Sequence, residues 1–285
     1  MLNKIKGSLA FRLPHLYRRL LRLKKINVLT NKEQSDIVVL MMTGWHFIDM
    51  TRLSVLSIVN TWITLPKLII NTDGTMSSSE IRKALNFWPA GITVEDWKST
   101  EEYHLGKGRK ALVNYGNLHP FGKKLALILR YAEKCPVLWI DSDILFFKDF
   151  TAFLPQPVTD FACGGTEDFV AAYHQEVING TGSNLYDLYK FNAGLLYVYG
   201  KNIYEDFELE RLIAGIHPHY DFCTEQTIFA HIASKSLGII WSKETVKSFN
   251  HDSQEIKAMP LDNVVARHYT SNVRHLFWRD AFFRI

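Results

Sequence analysis

The chain has 285 residues, 47% of them hydrophobic and 22% charged, which excludes a largely disordered polypeptide and allows one substantial core. The formal charge of +4 is lopsided: the first 32 residues carry nine Lys or Arg and no acid, leaving 24 basic against 29 acidic residues, or −5, for the rest. With an acidic body and no recognisable motif in the basic arm, nucleic acid is not an expected partner.

Residues 14–26, "PHLYRRLLRLKKI", repeat Leu16, Leu20 and Leu23 at helical spacing, with Tyr17 and Leu21 beside them and Arg18, Arg19, Arg22 and Lys25 elsewhere. This predicts a basic amphipathic helix, which either lies on an anionic membrane surface or packs on its own domain with a solvated charged face. Arg12 and Pro14 interrupt what would be the apolar stretch of a secretory signal, and no window reaches the ~18–20 apolar residues of a membrane span. Cys135, Cys163 and Cys223 are widely spaced and point to neither a disulfide framework nor a zinc site. A cytoplasmic protein, peripheral at the inner membrane surface at most, is the resulting expectation.

From residue 33 onward, apolar runs alternate with segments of helical period, the pattern of an α/β domain with a largely parallel sheet. "DIVVLMM" (36–42) predicts a first buried strand, and a helix follows around "MTRLSVLSIVNTW". "KLIINT" (67–72) is a second strand, Ser77 to Ser79 offer caps for a helix over "EIRKALNFW", and "GITVEDW" is a weaker strand. An amphipathic helix over 121–134, with Leu125, Ile128, Leu129 and Ala132 on one side, leads into the strand "CPVLWID". Beyond it come strands at 160–165, 191–200 and 237–241, a polar insert at 174–184, and helices over 201–214 and 221–236. The division expected is an arm over 1–32 and a single catalytic domain over 33–285.

"VLWIDSDILFF" (137–147) sets Asp141 and Asp143 in an otherwise apolar run. A buried carboxylate without a partner costs several kcal/mol, roughly 2 to 7 even for a neutral polar group, so these acids are paired, ligated to a cation, or held at an open strand end. Two positions apart on extended backbone they share a face, and oxygen ligands of this kind suit Mg²⁺ or Mn²⁺ on a diphosphate. An ion pair to Lys or Arg is the plainer alternative.

In order, "DIVVLMMT", Lys123 and Lys124, "LWIDSDILFF", "FNAGLLYV", "CTEQTIFA" and "ARHYTS" resemble the GT-A glycosyltransferases, in particular the retaining family 8, over about residues 36–270. The resemblance implies a Rossmann-like, mostly parallel sheet flanked by helices and a metal-dependent transfer of a hexose from a nucleotide sugar, a UDP-sugar above all, to a hydroxyl acceptor, with retention. It implies that Asp141, Asp143 and His268 hold Mn²⁺ (or Mg²⁺), with Asp141 also near the ribose. Asn192 and Gly194 would shape the sugar pocket, and Glu225 and Gln226 would sit near the anomeric carbon. For these, a bend entering a core strand and a solvated helix face are the plainer readings. Lys123 or Lys124 could reach donor hydroxyls or phosphate, Thr43 the base or ribose at a strand end, and Arg267 and Arg274 the leaving phosphate. Family 8 enzymes often use a lysine in "KPW" there, which "NVRHLFW" lacks. The alternatives are a sugar nucleotidyltransferase, whose Gly-rich loop after the first strand is missing from "MMTGWHFIDMTR", and a non-catalytic scaffold at a membrane surface.

Overall fold

Side chains alternate across an extended strand, so Val38 and Leu40 join one apolar cluster while Val39 and Met41 join another. A strand buried on both faces belongs in the middle of a layered α/β domain. The computed structural model describes residues 16–22, 32–156, 160–248, 264–270 and 273–285. Its strands are β1 (Gln34–Thr43), β2 (Leu65–Thr72), β3 (Ile92–Glu95), β4 (Val137–Ile140), β5 (Ile144–Phe146), β6 (Phe161–Glu167), β7 (Phe191–Gly200), β8 (Gly238–Trp241), β9 (Val246–Ser248) and β10 (Ala266–His268). The helices are α1 (16–22), α2 (Ile48–Thr61), α3 (Ser78–Ala84), α4 (Trp97–Gly106), α5 (Lys110–Leu118), α6 (Pro120–Ala132), α7 (Gln175–Thr181), α8 (Leu185–Leu188), α9 (Ile203–Asp206), α10 (Leu209–Ile216), α11 (Thr224–Ala233) and α12 (Arg274–Arg284).

Seven strands form one sheet in the order β3-β2-β1-β4-β7-β6-β8. Pairing is parallel between β1 and β2, β2 and β3, β1 and β4, and β6 and β8, while β7 runs against both its neighbours. The start of β7 therefore meets the carboxyl ends of β4 and β6 at one edge, where ligands of such sheets collect. Helices α5, α6, α10 and α11 cover one face. The other buries Trp62, Phe146, Phe150 and Trp241 with α2 and α3.

A small second sheet, β5-β10-β9, joins the end of the chain to its middle. In the antiparallel register His268 stands opposite Ile144, directly after Asp143. Three-residue strands carry little pattern of their own, and none of β5, β9 and β10 was expected as an element.

Elsewhere the expectations meet local chemistry. Ser77 caps α3 in a reciprocal capping box with Glu80, and α6 starts at Pro120, whose missing N–H costs nothing at a first helical position. The helix expected over 201–214 is broken into α9 and α10, and Glu208 between them has a left-handed φ of 47°. The polar insert contains α7, closed by Gly182 at φ 64°. Helices α4 and α5 were not expected, because Gly106, Gly108 and Gly116 interrupt the helical period of that segment.

Of the amphipathic segment, residues 16–22 are described and helical, while 14–15 and 23–26 lie outside the described residues. Leu21 is buried with Phe277 and Trp278, and Tyr17 stacks on Phe282. Arg18 and Arg22 both reach Asp49, whereas Leu16 and Leu20 are 49% and 40% exposed. Among the described residues no helix is long and apolar enough to cross a membrane.

Candidate active site

Strand β4 is buried along its whole length and ends at Ile140, so the following Asp-Ser-Asp turn is delivered to the sheet's ligand edge. The Asp141 backbone N–H donates to the Gly194 carbonyl at 2.8 Å, and the Asp143 carbonyl accepts from the Tyr269 N–H at 2.9 Å. Those two bonds tie the turn to β7 and to the end of β10. Asp141, Asp143 and His268 present one ligand atom each within 4.8 Å of one another.

Asn192 sets the histidine. Its amide nitrogen donates to Asp168 Oδ2 at 2.8 Å, which fixes the amide orientation, and its Oδ1 accepts from the Gly194 N–H at 2.8 Å. The same oxygen lies 3.1 Å from His268 Nδ1. Nδ1 must then carry the proton and donate, which turns Nε2 toward the acids, 3.2 Å from Asp143 Oδ1 and 3.8 Å from Asp141 Oδ2. Two carboxylates and an imidazole nitrogen whose other nitrogen is held by an oxygen form a donor set that fits a divalent cation, and the nitrogen favours Mn²⁺ over Mg²⁺. Burial is the largest single influence on His268 and opposes its charged form, but the charge and hydrogen bond of Asp143, with the charges of Asp141 and Asp168, together outweigh it and raise the imidazole pKa. Burial likewise opposes ionised Asp143, and His268 and Arg274 overcome it.

Arg274, the first residue of α12, donates from Nε (3.1 Å) and Nη2 (2.7 Å) to Asp143 Oδ2. The plainer expectation, an ion pair, is thus met on one oxygen of Asp143, while the other faces His268.

Lys124 rides on the buried side of α6 with Leu125 and Ile128 and is itself 3% exposed. Its ammonium donates to the Ala193 carbonyl at 2.9 Å and stands 3.5 Å from Asp141 and 3.3 Å from Glu225. Burial would lower its pKa; the two carboxylates raise it instead. Glu225, in the first turn of α11, is 1% exposed, and its Oε1 accepts no well-directed hydrogen bond among the described residues. Gln226 spends both ends of its amide, accepting from the Ala193 N–H and donating to the Ala172 carbonyl.

These groups line one cavity of about 200 Å³, with Gly194, Asn192 and Arg274. Three expected residues stand outside its lining. The Thr43 hydroxyl is buried against Thr51, and Lys123 lies over the Trp97 ring. Arg267 alternates with His268 along β10, so its side chain leaves by the opposite face and pairs with buried Asp280 at 2.9 Å. Conversely, Asp168, Phe121, Phe222 and Thr270 line the cavity without having been expected. Asp168 follows β6, which runs two residues past its expected end; that strand end was the available signal. Nothing in the sequence marks Phe222.

Gly194 has a reason other than room for a sugar: a Cβ there would stand 2.2 Å from His268 Cε1. Gly194→Ala should displace the imidazole, weaken by about 10- to 100-fold any divalent cation held by the Asp141, Asp143 and His268 donor set, and destabilise the fold by about 1–3 kcal/mol. Calorimetric titration with Mn²⁺ reads the first effect, and unchanged affinity would refute it.

Burial pushes the Glu225 carboxyl from an ordinary 4.5 up to about 7, with Lys124 opposing and Asp141 adding to the rise. Between those values the folded chain keeps a proton that the unfolded chain releases, so this group's contribution to stability is present at low pH and lost as pH rises through 7. Glu225→Gln removes that slope. Urea unfolding should show the variant gaining about 1–3 kcal/mol on the parent between about pH 5 and pH 8; a flat difference would sink the assignment.

No family model matches the chain, and no curated protein matches it in sequence. Solved structures do. The bifunctional glycosyltransferase WbbM superposes with a TM-score of 0.60 at 12% identity over 90% of this chain. This chain spans about half, 51%, of that one. The galactosyltransferase LgtC, solved with donor and acceptor sugar analogues, gives 0.58 at 12% identity, covering 86% of this chain and 95% of that one. Mouse xyloside xylosyltransferase 1 gives 0.55 at 11% identity, over 84% and 99% of the two chains. With its mostly parallel seven-stranded sheet, flanking helices and carboxylate turn at the sheet's ligand edge, this chain has the fold of the GT-A glycosyltransferases.

Proposed function

We propose that residues 33–285 form a metal-dependent glycosyltransferase that moves a hexose from a UDP-sugar to a hydroxyl acceptor with retention. The observation that carries this reading is the convergence of Asp141, Asp143 and His268 beside Lys124 and Arg274 in one cavity at the strand ends. Asp141, Asp143 Oδ1 and His268 Nε2 would hold the cation, which when bound supplies positive charge to a departing diphosphate. Arg274, 44% exposed in its side chain, can turn its outer N–H groups to a phosphate oxygen while still bracing Asp143. Arg274 is proposed as the substitute for the lysine that the family 8 resemblance would place near the C-terminus.

Asp168 and Glu225 face the cavity as acceptors for sugar hydroxyls; the unsatisfied Glu225 oxygen is a place for one such donor. Gln226 holds Ala193 and Ala172 in position, and so fixes the wall against which the anomeric carbon would lie. In a retaining transfer the acceptor attacks from the side the diphosphate leaves, and the diphosphate takes its proton.

A competing reading follows from the same geometry: Arg274 and His268 neutralise Asp143 and no cation binds. Titration of UDP with and without Mn²⁺ separates the two, since only the proposed enzyme gains affinity with metal. Hydrolysis of a panel of nucleotide sugars then identifies the donor and also tests the nucleotidyltransferase and scaffold alternatives.

Contact with an anionic membrane surface through residues 14–26 belongs to this proposal. Exposed Leu16 and Leu20 beside the charged side chains of α1 support it. A chain beginning at Asn31 should sediment with anionic liposomes severalfold less than the full chain; equal sedimentation refutes the contact.

A further inference from the structure

A second groove, of about 650 Å³, shares no lining residue with the candidate active site and runs between α1, the start of α2 and α3. Four cations face it, Arg18, Arg22, Arg52 and Lys83, against the carboxylates Asp49 and Glu80, a balance of +2. Both carboxylates are occupied. Asp49 Oδ2 accepts from Arg18 and Arg22 at 2.8 and 2.5 Å, and Glu80 accepts from the Ser77 N–H and hydroxyl in the cap of α3.

Arg52 and Lys83 form no ion pair among the described residues. Arg52 is half-buried, and that burial holds its pKa below the usual arginine value, opposed by the Asp49 charge. A desolvated guanidinium on a groove wall is a strong site for a planar pair of anionic oxygens. Trp45, 67% exposed, stands at the rim with its backbone N–H held by Thr75 Oγ1 at 2.8 Å.

We propose that this groove binds a phosphate-bearing anion, a phosphomonoester or phosphodiester separate from the sugar donor, with Arg52 and Lys83 as its contacts. A phospholipid headgroup and a soluble phosphate share that chemistry. Trp45 at the rim and Leu16 and Leu20 exposed on α1 favour the headgroup.

The test uses the full chain in EDTA, titrated with inorganic phosphate and floated with vesicles of phosphatidylcholine with or without phosphatidylglycerol. Arg52→Gln combined with Lys83→Ala should lower affinity for the phosphatidylglycerol vesicles about tenfold or more. A control of equal charge change at exposed Lys98 and Arg211 should leave it unaltered. Lys83→Ala alone, at an exposed position, carries the test if the Arg52 change lowers the melting temperature. A loss seen with vesicles only identifies a headgroup, and a parallel loss of phosphate binding identifies a soluble anion; both support the groove. Equal losses in the control, no binding of either probe, or displacement of the bound anion by UDP overturns it. No arm requires turnover or metal, so the result stands apart from the transferase reading.

Discussion

Asp143→Asn should reduce nucleotide-sugar turnover by about 100- to 1000-fold, the scale seen when one preorganised charge-stabilising group is removed, and should abolish the Mn²⁺ dependence of UDP binding. The side chain keeps its volume and can still accept one hydrogen bond from Arg274, so the loss reads the carboxylate's charge rather than its packing. His268 has its pKa raised by the Asp143 charge against the effect of burial; in the variant it loses that partner and can lose its proton. Calorimetry with UDP, with and without Mn²⁺, checks the outcome. Metal-dependent affinity that survives the substitution would remove Asp143 from the cation site and leave the Arg274 ion pair as its whole role.

The largest stability effect is expected at Lys124. Its ammonium is the cation standing between buried Glu225 and Asp141. Lys124→Met keeps the length of the side chain but strands both carboxylates, and breaking a buried pair in this way costs about 3–5 kcal/mol. Glu225 then rises further, beyond its value of about 7, and takes a proton to limit the damage. Combining Lys124→Met with Glu225→Gln removes the more deeply buried of the two stranded charges, so the double variant should be less destabilised than the sum of the singles by about 1–3 kcal/mol. Strict additivity in urea unfolding would show that the pair does not interact.

The two acids were legible because their apolar flanks left them few places to go: "VLWI" marks a buried strand, and the apolar "ILFF" that follows makes a solvated loop implausible. Lys124 was legible as one of two neighbouring lysines, but only the packed helix separates it from Lys123, since one position of rotation sends one ammonium into the cavity and the other over Trp97. His268 was reached only through the family resemblance of "ARHYTS". Its place depends on the pairing of β10 with β5, a contact between distant parts of the chain that no periodicity within three residues encodes. The same pairing explains why Arg267 was read toward phosphate and instead pairs with Asp280. Gly194 was recognised as special on a different ground from the one found, because the ring that excludes its Cβ comes from that distant strand. Asp168 was passed over when β6 was expected to stop at residue 165 and in fact continues to Glu167.

The β5-β10 clasp also bears on how the protein is made. All seven strands of the large sheet precede residue 242, whereas His268 and Arg274 lie after it. In the transferase reading proposed above, the residues that would finish the cation site and the phosphate contact are therefore synthesised after every strand of the large sheet.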